Sequence, residues 1–208
     1  MTHFRPRDHH VADRIGGVRA ARLFSNIVSP PVMFAVVGLV VTLTSVPFWQ
    51  ALAWAAIFGF FVSLAPILFV LYLLRTGRVV ELHMSNTSER NLPYLVAILG
   101  SLVVWGLIAL LDGPKLLRCL PQLNIVSLAA IAVVNRFWLI SFHAMAAAAM
   151  SLVLGLIFGP LAGIVLIPLI GVVVAVRLYL RRHTVAQVIA GMLLGVGCVL
   201  FMVRLGCF

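Results

Sequence analysis

Six side chains in this sequence have the types and spacing to act together on an anion: His83, Arg90, His143, Arg177, His183 and Gln187. Imidazole can attack an electrophile or carry a proton near neutral pH. Guanidinium keeps its charge at physiological pH and offers forked donors that match phosphate oxygens. Three of the histidines lie at the edges of apolar runs, each with arginine nearby: His83 with Arg90, His143 with Arg136, and His183 with Arg177, Arg181 and Arg182. One such residue at a membrane edge is an ordinary interfacial anchor. Three groups on one face point to convergence on an anion, and phosphate fits this chemistry. Arginines can supply the charge stabilisation, so no metal and no other cofactor is expected. Gln187 follows His183 by four residues. On a continuous helix face it would orient the imidazole through a hydrogen bond.

The elements that must hold these residues are membrane helices. Of 208 residues, 63% are hydrophobic and 10% charged, and the mean hydropathy is +1.19. A soluble domain of this length could not hide that much apolar surface. Continuous apolar runs, rather than short alternating ones, exclude a β-barrel. An all-α, polytopic transmembrane bundle is the expected fold, with a basic tail over 1–30 and one membrane domain over 31–208.

A span needs about 20 mostly apolar residues. Runs at 31–48, 50–74, 94–111, 122–138, 141–158, 160–177 and 184–204 predict about seven spans. In the fourth, only "IVSLAAIAVV" is strongly apolar, so it is expected to be short, tilted or re-entrant. Breaks are expected at "SVPFWQ", over 75–93, at "LDGPKLLRCLPQ" and at "FGPLAG". Gly155, Gly159 and Gly163, and Gly191 and Gly195, repeat at intervals of four. That spacing predicts close helix packing in lipid.

The net charge of +10 lies between apolar runs. It is read as membrane orientation and contact with anionic lipid rather than nucleic-acid binding. With seven spans, one side carries Arg5, Arg7, Arg14, Arg19, Arg22, Arg75, Arg78, Arg90, Arg136, Arg177, Arg181 and Arg182. The other carries Lys115, Arg118 and Arg204. Basic loops stay cytoplasmic, so the N-terminus and the histidine face are expected inside, in a bacterial inner membrane. No signal peptide is read at the start. His3, His9 and His10 are expected to be solvated in the tail. Cys119, Cys198 and Cys207 form no paired spacing, so neither a metal site nor a disulfide is expected.

At this point the chain resembles the type 2 phosphatidic acid phosphatase (PAP2) superfamily of integral membrane phosphatases. Its third motif is Ser-Arg, five residues, His, three residues, Asp. Val176-Arg177, His183 and Gln187 occupy that frame. Its second, Pro-Ser-Gly-His, resembles Ile140-Ser141-Phe142-His143, followed by an alanine-rich helix. Its first, Lys, six residues, Arg-Pro, is matched loosely by His83, Arg90 and a delayed Pro93. The likeness covers roughly residues 50 to 204 and implies a six-helix core within the bundle. It also implies roles. His183 would be the nucleophile that becomes phosphohistidine, and His143 the proton donor to the leaving group. Arg90 and Arg177 would hold phosphoryl oxygens, with hydrogen bonds from Ser141, and His83 would stand where the family has lysine.

Three departures matter. Gln187 replaces an aspartate and cannot stabilise a cationic imidazole as a carboxylate would. His83 gives a pH-dependent charge. Phe142 puts a ring where the family has glycine.

The resulting expectation is a phosphatase for a lipid phosphate or diphosphate, with an isoprenoid diphosphate as the first substrate. The alternative is a catalytically inactive relative that binds lipid or serves as a structural subunit, as a homo-oligomer or within a larger membrane complex. A transporter is a third reading. It is disfavoured because no Asp, Glu, Lys or Arg lies mid-span in this assignment.

Overall fold

The computed structural model describes residues 6–79 and 87–208; His3 and His83 lie outside them. Among the described residues the structure is 80% helical and all-α. The helices are α1 (Gly16–Ile27), α2 (Pro30–Ser45), α3 (Phe48–Gly59), α4 (Ala65–Arg75), α5 (Asn91–Leu110), α6 (Lys115–Val134), α7 (Phe142–Phe158), α8 (Pro160–Ile164), α9 (Ile167–Tyr179) and α10 (Val185–Arg204). A π turn, Phe60–Leu64, joins α3 to α4. Proline starts several of them, as its fixed φ and missing N–H favour: Pro30 and Pro31 open α2, and Pro160 opens α8.

Among the described residues, five helical stretches are long and apolar enough to cross a membrane: Phe48–Arg75, Asn91–Leu110, Lys115–Val134, Pro160–Tyr179 and Val185–Arg204. The pair α1 and α2, bent by 45°, makes a sixth if counted as one. The fifth expected span, α7, has only 17 residues. It sits at the centre, with Ala144 through Ser151 all buried. Its neighbours, not lipid, cover it. The fourth expected span is corrected. It is a 20-residue helix that starts at Lys115, so "KLLRCLPQ" belongs to the helix rather than to a break. Pro121 lies inside α6 without ending it.

The glycine spacing works as expected in two places. A Cβ on Gly191 would stand 2.5 Å from the Ser141 carbonyl oxygen, and one on Gly195 would press still closer on that of Met145. The backbone of α10 therefore lies directly on α7. Gly155 and Gly163 meet across α7 and α8, where Ser151 Oγ donates to the Gly163 carbonyl at 2.8 Å. Buried amides fix other contacts. Asn124 Nδ2 donates to Ser101 Oγ (2.8 Å) between α5 and α6. Asn135 donates to Tyr94 Oη and accepts from the Ile140 N–H (3.0 Å), shaping the turn into α7.

Two expectations fail at this level. Cys119 and Cys207 form a disulfide across 88 residues. The bond ties the start of α6 to the chain just after α10. No short spacing marked it, because the partners meet only once the bundle has formed. Nor is the described part of the N-terminal tail, residues 6–30, free of the bundle. Val11–Asp13 forms a 3-10 turn and α1 packs along α9, while Asp8 is fully buried.

Candidate functional site

Alternation of the helices brings four segments to one end of the bundle: the start of α5, the start of α7, the end of α9 and the α9–α10 turn. They bring Arg90, His143, Arg177 and His183 to one cavity of about 330 Å³. Arg90, Arg177 and His183 are buried there. The other walls are mostly apolar and come from α2, the π turn, α4, α5 and α6, with Phe34, Val62, Val70, Ala97 and Leu128 among them. The cavity thus has a cationic head and a greasy body.

Arg177 is the hub. It is 3% exposed. Its Nη1 donates to Ser25 Oγ at 2.9 Å, and its Nη2 lies 3.4 Å from His183 Nε2. Its Nε has no partner. Among the described residues no carboxylate bonds this guanidinium. A buried charge with no carboxylate bonded to it is costly, and an anion in the cavity would offset that cost.

The two imidazoles differ in polarity at Nε2. A guanidinium can only donate, so His183 Nε2 must accept and its proton sits on Nδ1. His143 Nε2 lies 3.0 Å from the Ser25 backbone oxygen. A carbonyl can only accept, so His143 Nε2 carries a proton. One ring therefore presents a lone pair and the other an N–H. Burial, then the charges of Arg177, Arg90 and His143, hold His183 well below the ordinary imidazole range, against a weak opposite pull from the Leu139 backbone. His183 is neutral at physiological pH.

Two expected roles are corrected. His183 precedes α10 rather than lying on it, so Gln187 is not beside it on one helix face. Thr184 is the N-cap. Gln187 Oε1 accepts from the Thr184 N–H at 2.9 Å, while the Gln187 N–H donates to Thr184 Oγ1 at 3.3 Å. This is a capping box, and it occupies the amide that was expected to orient His183. Ser141 is fully buried and lies off the cavity wall. Its Oγ accepts from the Ala144 N–H and caps α7. Its own N–H donates to the Gln187 carbonyl at 3.1 Å. Ser141 and Gln187 thus clamp the start of α7 to the start of α10, and they position His143 and His183 rather than touch a ligand. Phe142 lines the cavity and meets Tyr94 edge-on at 6.0 Å.

Sequence reasoning missed Ser25 and Asp8. Ser25, on α1, joins Arg177 and His143. Asp8 accepts from Arg182 Nε at 2.8 Å and from Arg22 Nη1 at 2.9 Å. Burial pushes the Asp8 carboxyl up, but the Arg182 hydrogen bond and the charges of Arg182 and Arg22 outweigh it, so it sits below its ordinary value. The 3.6-residue apolar periodicity of 16–27 was the available signal for α1. Nothing marked Asp8 for a partner 174 residues away.

Comparison with protein-family models, with curated proteins and with solved structures gives no match to this chain.

Proposed function

We propose that the chain is a membrane phosphatase of the PAP2 type, acting on a lipid phosphate or diphosphate, with an isoprenoid diphosphate as the first substrate. One observation carries this reading. Buried Arg177 has no carboxylate partner among the described residues and stands between an imidazole lone pair and an imidazole N–H, at the head of an apolar cavity.

The chemistry follows from those polarities. Arg177 and Arg90 hold the phosphoryl oxygens and stabilise the charge that develops on them. His183 Nε2 attacks phosphorus. The bond from phosphorus to the bridging oxygen breaks, and its electron pair leaves with that oxygen. His143 Nε2–H protonates the leaving oxygen, which departs as a lipid alcohol or, from a diphosphate, a lipid monophosphate. Water then attacks the phosphohistidine and gives its proton to His143. Orthophosphate and neutral His183 result. Gln187 takes no part in the proton transfers, because its side chain caps α10.

The proposed orientation puts the site end in the cytoplasm, in a bacterial inner membrane. Arginine crowds that end. The Cys119–Cys207 disulfide lies at the other end, and disulfides persist on the oxidising side of a membrane. Phe137, exposed in the turn before α7, is the probe position: a Phe137→Cys side chain labels from the cytoplasm only. Labelling only from outside reverses the orientation.

The activity test is orthophosphate release by purified protein in detergent from a prenyl diphosphate, a prenyl monophosphate and phosphatidic acid. Release that disappears in His183→Ala supports the enzyme, and the substrate ranking selects its lipid. No release by folded protein favours the binding or structural reading.

A further inference from the structure

Ser25 makes contacts that its own helix does not require. A serine inside a helix usually faces solvent or bonds a carbonyl one turn back. Ser25 does neither: it is 2% exposed, and its hydroxyl accepts from Arg177 and lies 3.3 Å from His143 Nε2. Its backbone oxygen belongs to the last turn of α1, where carbonyls lose their helical partners, and His143 Nε2 lies beside it at 3.0 Å. One residue therefore sets two oxygens between the guanidinium and the acid imidazole. A phosphoryl group bound for attack by His183 would present two oxygens to those same nitrogens. Both cannot be there together.

The segment that carries Ser25 is held at its edges and packed loosely in the middle. The Arg7 N–H donates to the Leu180 carbonyl at 3.0 Å, and the Arg7 guanidinium lies 4.8 Å over the Tyr179 ring. Asp8 grips Arg182 from one side and Arg22 from the other. Between these ties, α1 faces α9 largely through Gly17, Ala20 and Ala21, with a shallow apolar cavity in the seam. Leu23 and Ile27 point away from the bundle, as on an interfacial amphipathic helix. The 45° bend between α1 and α2 supplies a pivot.

We propose that residues 6–27 form a strap that occupies the site in the resting protein, with Ser25 in the place of a phosphoryl group, and that a phosphate oxyanion displaces it. The strap rests on the phosphate reading above. The Asp8–Arg182 ion pair holds it shut, the Asp8–Arg22 pair braces the strap internally, and Ser25 fills the hole it covers. A ligand therefore meets the site only in the fraction of molecules whose strap is open, and its apparent affinity is reduced by that fraction.

The test uses the full chain in detergent with pyrophosphate as the probe, and reads both binding by calorimetry and trypsin cleavage after Arg14, Arg19 and Arg22. Pyrophosphate is expected to speed cleavage at these α1 sites. Asp8→Asn is expected to speed cleavage without ligand and to tighten pyrophosphate binding by ~10-fold, as for a strap that is open about a tenth of the time. Ser25→Ala removes one stand-in oxygen without touching the ties. It is expected to tighten binding in the same direction, and it carries the test if Asp8→Asn does not fold. Pyrophosphate that binds while α1 stays protected, or a Ser25→Ala variant that binds it more weakly, overturns the strap and makes Ser25 part of the cradle; the phosphate reading survives either result. No binding by wild type or variants overturns the phosphate reading and the strap with it.

Discussion

The two ends of the bundle are held by different means. At the far end, Cys119 and Cys207 join α6 to the chain after α10 by a covalent bond. At the site end, Asp8, Ser25, Arg177, Arg182, His143 and His183 join α1, α7, α9 and the α9–α10 turn through hydrogen bonds and ion pairs. The chain between the disulfide cysteines includes nearly all of α6 through α10, and the chain-entropy estimate for a loop of that length is about 4–5 kcal/mol. The polar contacts are worth less each, about 0.5–3 kcal/mol, but a ligand with the right oxygens can replace them. The contrast teaches a division of labour: the permanent tie lies away from the proposed site, and the exchangeable ties lie on it. Local opening is then easiest where the proposed substrate would enter.

Several measurements would break or sharpen this contrast. The largest effect is expected from His183→Ala, which should lower orthophosphate release by roughly 10³-fold or more, because the proposed attacking atom is gone. Arg177→Lys comes next. A point charge replaces the fork that reaches both Ser25 and His183, and the rate should drop ~10²-fold or more, as when a positioned charge-stabilising donor is lost. An Arg177→Lys enzyme as fast as wild type would remove the hub from the site.

At the other end, Cys119→Ala combined with Cys207→Ala should lower unfolding stability by about 2–5 kcal/mol and leave the turnover of folded protein close to wild type. A double variant of full stability but poor activity would show that the two ends are not separate.

Acid should act on the site end through His183 and Asp8. Folded His183 binds its proton less readily than the unfolded chain does, so the folded state carries fewer protons. This costs nothing above the ordinary imidazole value of about 6.5. Below it, stability falls with a slope approaching about 1.4 kcal/mol per pH unit, until the lowered folded value is reached. In a second, lower window, Asp8 stabilises the fold above the ordinary carboxylate value, and that contribution is lost as pH falls through its lowered folded value. Unfolding followed from pH 7 to 5 should therefore be steeper in wild type than in His183→Asn.

The smallest effect belongs to Gln187→Ala. Loss of half a capping box should cost about 0.5–1 kcal/mol without moving the pH profile of turnover. A shifted profile would restore Gln187 as the group that orients His183.

Much of the site was legible because helix alternation is simple. Residues at the starts of α5 and α7 and at the α9–α10 turn must share one end once the apolar runs are counted, and Arg90, His143, Arg177 and His183 do. What escaped depends on contacts that no local pattern encodes. The disulfide partners are 88 residues apart. Ser25 sits in "LFSNIVSPP", where nothing marks a serine for a distant arginine. Gln187 shows the opposite failure. Thr184-Val185-Ala186-Gln187 carries the spacing of a capping box, so its structural role was readable, but the frame around His183 suggested a catalytic partner instead. One residue satisfied two patterns, and the local backbone decided between them because Thr184 N–H and the first turn of α10 need acceptors.

The most direct test of the central claim is a rapid-quench experiment with a prenyl diphosphate labelled at its terminal phosphate, run on wild type, His143→Ala and His183→Ala. The account predicts an acid-labile phosphoryl label on His183 in wild type, slower loss of that label once formed when His143 is absent to assist water, and no label without His183. Turnover with no label on any histidine, or a label that persists in His183→Ala, would contradict it.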